Sequence, residues 1–167
     1  MKLMSANIED LRTLYVNHLK KALYMERKIT KALPELIDKA TDSELTSAFR
    51  THLEETKGHV SKIEQLLKKN THSTDTETCK VIDGLTTAAS YTIKDVKDPS
   101  VRNVALIGAA QQVEHHEIAV YGTLRRWADL LGLTEDSQVL LAIEREEANA
   151  DKILTQISDH VNLQAAA

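Results

Sequence analysis

The chain has 167 residues, enough for one domain with a continuous core, and it is aliphatic, with 4 % aromatic residues, five Gly and two Pro. Strand-rich folds need frequent turn residues and β-branched or aromatic runs, so this composition predicts an all-α protein. A net charge of −4 with scattered Lys and Arg argues against nucleic-acid and anionic-membrane partners, and the single Cys79 excludes a disulfide framework and a Cys-rich zinc site.

The opening stretch Met1–Asn7 has no apolar signal core, and no segment approaches the ~20 apolar residues of a membrane span, so a cytoplasmic protein is expected. Helix α1 is predicted over about 5–40, on Leu11, Tyr15, Leu19, Ala22, Ile29 and Leu33, with a kink before Pro34. Thr41 and Glu44 fit a capping box for α2, about 42–69. Residues 70–78 are polar and aperiodic and read as a loop, followed by a short α3 over about 79–96. Asp98-Pro99-Ser100 punctuates the chain before α4, about 100–131. Gly132 ends α4, and Thr134–Asp136 caps α5, about 134–161. Short turns make α1–α2 and α4–α5 antiparallel hairpins, and about thirty residues separate the two pairs. Two hairpins joined by a long crossover with its own short helix is the connectivity of a ferritin-like four-helix bundle.

Carboxylates and histidines fall on the apolar stripes. Because a helix advances 100° per residue, Glu26 shares a face with Ile29 and Leu33 of α1. On α2, His52, Glu55 and His59 lie between Leu45 and Ile63. Glu114 and Glu117 lie on the stripe of Ile107 and Tyr121 in α4, and Glu144, Glu147 and Asp151 share one with Leu140 and Leu154 in α5. Residues equally far from a hairpin turn should lie level, which pairs Glu26 with Glu55, Glu117 with Glu147, and Glu114 with Asp151. Buried carboxylates repel and would take up protons unless something positive sits among them, and no inward Lys or Arg is available in sufficient number. Two metal ions are the economical answer, and an oxygen and imidazole donor set suits iron or manganese. Each residue alone has a plainer reading: an acid at a stripe's edge, a packing histidine for His52 or His59, a core tyrosine for Tyr15, Tyr24 or Tyr121. Gly58, costly within a helix, is expected to admit a neighbouring backbone.

Several stretches carry a likeness. Tyr24-Met25-Glu26-Arg27, Ala32-Leu33-Pro34-Glu35-Leu36, His52-Leu53-Glu54-Glu55-Thr56, Val113-Glu114-His115-His116-Glu117-Ile118-Ala119-Val120-Tyr121-Gly122 and Glu146-Glu147 with Asp151 resemble the YciF-type bacterial stress proteins of the ferritin-like superfamily, over nearly the whole chain. The resemblance implies a rubrerythrin-type bundle, a homodimer, a role in stress and a two-metal centre. Its carried-over ligands are Glu26, Glu55, Glu114, Glu117, Glu147 and Asp151; His52 and His59 are further inward candidates from the stripes, and for a two-metal redox centre Glu55 and Glu117 are the expected bridges. The superfamily's Glu-x-x-His is absent, since Gly58 and Ala150 stand three beyond Glu55 and Glu147. Three functions stay open: reduction of peroxide or dioxygen, a non-enzymatic bundle with a vestigial or structural site, and iron storage, which would need a closed shell rather than a dimer.

Overall fold

The computed structural model describes residues 8–167 and contains five α-helices and, among those residues, no strand. They are α1 (Leu11–Lys39), α2 (Ser43–Thr71), α3 (Lys80–Asp95), α4 (Pro99–Leu130) and α5 (Thr134–Ala166). No helix of the described residues is long and apolar enough to cross a membrane.

Short polar side chains at the turns decide where the helices start. The expected α1 start near residues 5–7 lies outside the described residues; the helix begins at Leu11, where the Asp10 carboxylate accepts from the Thr13 amide at 2.8 Å. Pro34 sits inside α1 without ending it. For α2 the cap is Asp42 rather than Thr41: its carboxylate accepts from the Leu45 amide at 2.9 Å. Thr41 is engaged elsewhere, donating its amide to Asn103 Oδ1 at 2.9 Å and accepting from Asn103 Nδ2 at 3.0 Å. Buried Asn103 thereby clips the α1–α2 turn to the start of α4. That start is capped by Asp98, whose carboxylate accepts from the Ser100 and Val101 amides with Pro99 in the first turn. Gly132 takes the left-handed conformation, φ 71°, that closes α4. At α5 no side chain caps the helix. Asp136, expected among the capping residues, is instead buried and accepts from the Tyr15 hydroxyl at 2.9 Å, Asn70 Nδ2 at 2.7 Å and Lys69 Nζ at 3.0 Å.

These long-range bonds fix the topology. Tyr15 near the start of α1, Asn70 at the end of α2 and Asp136 in the first turn of α5 meet at one end of the bundle. At the other end Thr41 meets Asn103, and His160 near the end of α5 lies 3.1 Å from Asp42. So α1 and α5 run one way, α2 and α4 the other, and each antiparallel hairpin packs against the next around a four-membered ring. Helix α3 lies outside that ring against α1 and α4, where Tyr24 and Lys28 hold Asp83 at 2.8 and 2.9 Å. The all-α bundle of two hairpins with a helix-bearing crossover is the architecture the periodicity predicts.

The core is aliphatic along the predicted stripes, with Leu19, Leu23, Leu45, Ile63, Leu106, Leu140 and Ile143 fully buried. Gly58 departs from expectation: a Cβ there would meet nothing within 4 Å, so no backbone approaches it. It is a helix-interior glycine with an unrelieved entropy cost. Gly58→Ala is expected to raise stability by about 1 kcal/mol, read as a rise of roughly 2–4 °C in the midpoint of thermal unfolding.

Candidate metal centre

Six of the nine residues placed on the apolar stripes converge in the middle of the bundle. One group is His52, Glu114, Glu117 and Glu147; the other is Glu26, His59 and Glu147, and within each the potential ligand atoms lie within 4.8 Å of one another. Glu147 belongs to both. All six side chains are buried, Glu26, His59 and Glu147 completely. All four helices of the ring contribute.

His59 Nδ1 approaches Glu147 Oε1 to 2.9 Å and Glu26 Oε1 to 3.7 Å. His52 Nε2 is 3.3 Å from Glu114 Oε1 and 3.8 Å from Glu147 Oε2. None of these four contacts has hydrogen-bond alignment. Nine buried atoms among the described residues find no hydrogen-bond partner: Glu26 Oε2, both nitrogens of His52, His59 Nδ1, Glu114 Oε2, and both oxygens of Glu117 and Glu147. Buried polar groups are nearly always satisfied, so a concentration of orphans in one place, all of ligand type, marks a site built for something else.

Electrostatics show how the protein alone would manage. Burial pushes the Glu117 carboxyl far above the carboxylate range, and Glu147, Glu26 and Glu114 push it further. Burial also raises Glu114, and His52 offsets only part of this, leaving it at about 8. For His52 burial disfavours the charged ring, but Glu55, Glu114 and Glu147 outweigh it and bring it to about 9. For His59 burial is likewise overcome, by Glu147 and Glu26, to about 11. Without a cation the cluster therefore holds protons in place of one, on carboxyl oxygens and imidazole nitrogens. Those are the atoms that iron or manganese prefers.

Two further residues orient the cluster. The Tyr121 hydroxyl donates a hydrogen bond to Glu26 Oε1, leaving Oε2 as the oxygen without a partner. Glu146, held by Lys62 at 3.0 Å, receives His59 Nε2 at 2.5 Å. A carboxylate only accepts, so Nε2 carries the proton and Nδ1 faces Glu26 and Glu147; an outer carboxylate fixing the ring of a ligand histidine is a recurrent metal-site arrangement. Tyr121 reads from sequence as packing, and Glu146 as one acid of a pair. The signal for Glu146 was Lys62, three residues beyond His59 on α2.

Glu55 and Asp151 lie outside both groups. Glu55 is half-buried at the cluster's margin, with Oε2 3.6 Å from His52 Nδ1. Asp151 turns toward α4, where Gln111 Nε2 donates to it at 3.0 Å and His115 approaches to 3.4 Å. Glu144 is taken by Arg125 at 2.8 Å. The level pairing of Glu26 with Glu55 is off by one helical turn, because Glu26 meets His59. Side chains tilt toward a helix's N-terminus, which points away from the turn in α1 and toward it in α2, so the residue met on α2 lies farther from the turn.

The chain is similar to known proteins over nearly its whole length. A model of the family described as Domain of unknown function (DUF892) matches residues 10–167. Protein YciF of Escherichia coli K12 is 33 % identical over 161 residues, 95 % of this chain and 97 % of that protein. The crystal structure of the E. coli stress protein YciF superposes with a TM-score of 0.88 at 32 % identity, covering 92 % of this chain and 98 % of that one. YcfI of Rhodopseudomonas palustris gives the same score and coverage at 36 % identity. A Xanthomonas campestris protein, at a TM-score of 0.74 and 20 % identity over 92 % of this chain and 94 % of that one, shares the fold.

Proposed function

The chain belongs to the DUF892 family, and on that premise we propose that it is a stress-associated protein that holds two iron or manganese ions in the bundle core and reduces peroxide or dioxygen with them. The cytoplasmic setting and the homodimer implied by its resemblance to YciF-type proteins belong to the same proposal. The observation that carries it is the set of nine orphaned ligand atoms, arranged as two groups that share Glu147.

Bound there, a pair of such ions supplies two one-electron oxidations, the electrons that with two protons convert hydrogen peroxide to two waters. The protein's own part is positional. Glu147 presents one oxygen to each group. Glu26 is held by Tyr121 and His59 by Glu146, so neither has to reorganise on binding. Glu55, half-buried beside His52, is a margin carboxylate able to swing inward, and in this reading Glu147, common to both groups, is the carboxylate that would serve both ions, where Glu55 and Glu117 were expected to.

The test is metal content. Protein loaded anaerobically with ferrous or manganous ion and desalted is expected to retain about two ions per chain, and a content near zero would sink the reading. Peroxide consumption by that sample separates turnover from a vestigial or structural site. Loading should also depend on pH with a definite sign. Since His52 and His59 are raised to about 9 and about 11 in the metal-free protein, both carry a proton at neutral pH that the ion must displace. Affinity therefore rises with pH, and uptake at pH 7 in weak buffer should release about two protons or more per chain. No proton release on loading would contradict the ligand roles of the two histidines.

A further inference from the structure

A cleft of about 390 Å³ runs between α2 and α5 from the surface to the cluster. Its rim is exposed and mostly polar, with Glu44, Thr51 and Gln156 beside the one exposed apolar side chain, Ile153. Its walls are buried and apolar, made by Phe49, Ala150, Leu154 and Ile157. Its inner end is His52 and Glu114, only 6 % and 3 % exposed, whose His52 Nδ1, His52 Nε2 and Glu114 Oε2 have no hydrogen-bond partner. A polar rim, an apolar barrel and a few unpaired polar atoms at the end describe a small-molecule site.

Size and polarity choose the molecule. At ~30 Å³ per water the space holds roughly a dozen, far more than dioxygen or hydrogen peroxide needs, and it falls in the range of ligand-sized pockets. The walls offer a peroxide no hydrogen bonds, so they would not help it arrive. They suit a compact apolar body. Acidic Glu44 at the rim and Glu55 farther in disfavour an anionic head such as a fatty-acid carboxylate. We propose that the α2–α5 cleft binds neutral organic hydroperoxides, the apolar body against Phe49, Leu154 and Ile157 and the peroxide group at His52 and Glu114. The inference rests on the two-metal reading and names its substrate class. In the reaction the O–O bond breaks, two electrons from the reduced centre and two protons from solvent enter, and an alcohol and water leave.

The experiment uses 2-phenyl-2-propanol, the alcohol left by cumene hydroperoxide, with metal analysis on the same preparations. Calorimetric titration of the metal-free protein should show binding. Ala48→Leu, which fills the cleft, and Ile153→Asp, which charges its rim, should each weaken binding by about tenfold. In anaerobic single turnover of loaded protein, both substitutions should lower the rate with cumene hydroperoxide relative to hydrogen peroxide by a similar factor. Retention of about two ions without alcohol binding would overturn the cleft assignment and leave the metal reading standing. Alcohol binding without metal retention would overturn the metal reading and the hydroperoxide reaction with it. An Ile153→Asp variant that turns a dimer into a monomer while binding the alcohol undiminished would show that a second copy covers the cleft, and would also overturn the assignment.

Discussion

Glu117→Leu is expected to stabilise the metal-free protein by about 1–3 kcal/mol while removing most of the stabilisation that metal confers. Glu117 is 1 % exposed, neither of its oxygens finds a hydrogen-bond partner, and its neighbours are three more carboxylates. A buried polar group left unsatisfied costs about 1–3 kcal/mol, and leucine fills much the same space without that cost. With metal in excess the order should invert, since at a hundred times the dissociation constant each of two ions adds about 2.7 kcal/mol to the wild type, together more than the variant's gain. Glu147→Leu should go further, because it removes the donor common to both groups, and metal content should fall from about two per chain toward zero. Urea unfolding of wild type and both variants, each with and without metal, reads all of this in one series. If Glu117→Leu instead costs the metal-free protein more than about 1 kcal/mol, its carboxyl makes a compensating interaction and the argument from orphaned atoms collapses. A protein that keeps such a cost in its core sacrifices stability for function at that spot.

The helices and the inward acids were legible because both follow from a 100° step. Periodicity places Tyr15, Leu19, Ala22, Ile29 and Leu33 in the core, and all five are buried. The same step puts Glu26, Glu114, Glu117 and Glu147 inside. What it does not resolve is which edge of a stripe faces which neighbour. Glu55 and Asp151 lie on the predicted stripes, three residues beyond His52 and four beyond Glu147, but one stops at the rim of the cluster and the other is drawn to Gln111 and His115 on α4. The choice depends on how the helices roll against each other, and that is a tertiary quantity. Capping was less legible still. Thr41 and Asp136 have the right chemistry for helix starts, and each is claimed by a partner far along the chain, Asn103 for Thr41 and Tyr15 for Asp136. A short polar side chain beside a turn satisfies a local amide or a distant group equally well, and the sequence carries no sign of which is present.

Asp136 leads to the second large effect, this time without any consequence for metal. Asp136→Ala should destabilise the protein by about 3–5 kcal/mol, the range for breaking a buried charged network at one partner. Its carboxylate is fully buried and ties Tyr15 of α1, Lys69 and Asn70 of α2 and its own helix α5 together at one end of the bundle. Removing it leaves the Tyr15 hydroxyl, itself completely buried, with no acceptor, and Lys69 with only the exposed Glu135. Burial and the neighbouring Asp136 both raise Tyr15 above its ordinary range, so its proton stays on and still needs an acceptor at any working pH. Asp136→Asn keeps an oxygen for Tyr15 but turns an amide toward Lys69 or Asn70, so its cost should fall between wild type and alanine. Tyr15 stands eleven residues before Glu26, roughly 16 Å along α1 at 1.5 Å per residue, so the network cannot touch the cluster directly. Folded Asp136→Asn protein should accordingly load about as much metal as wild type, with a lower urea midpoint. Loss of metal in a still-folded Asp136 variant would mean that the end of the bundle sets the geometry of its centre, and the Asp136 network and the carboxylate–histidine cluster would then have to be treated as one.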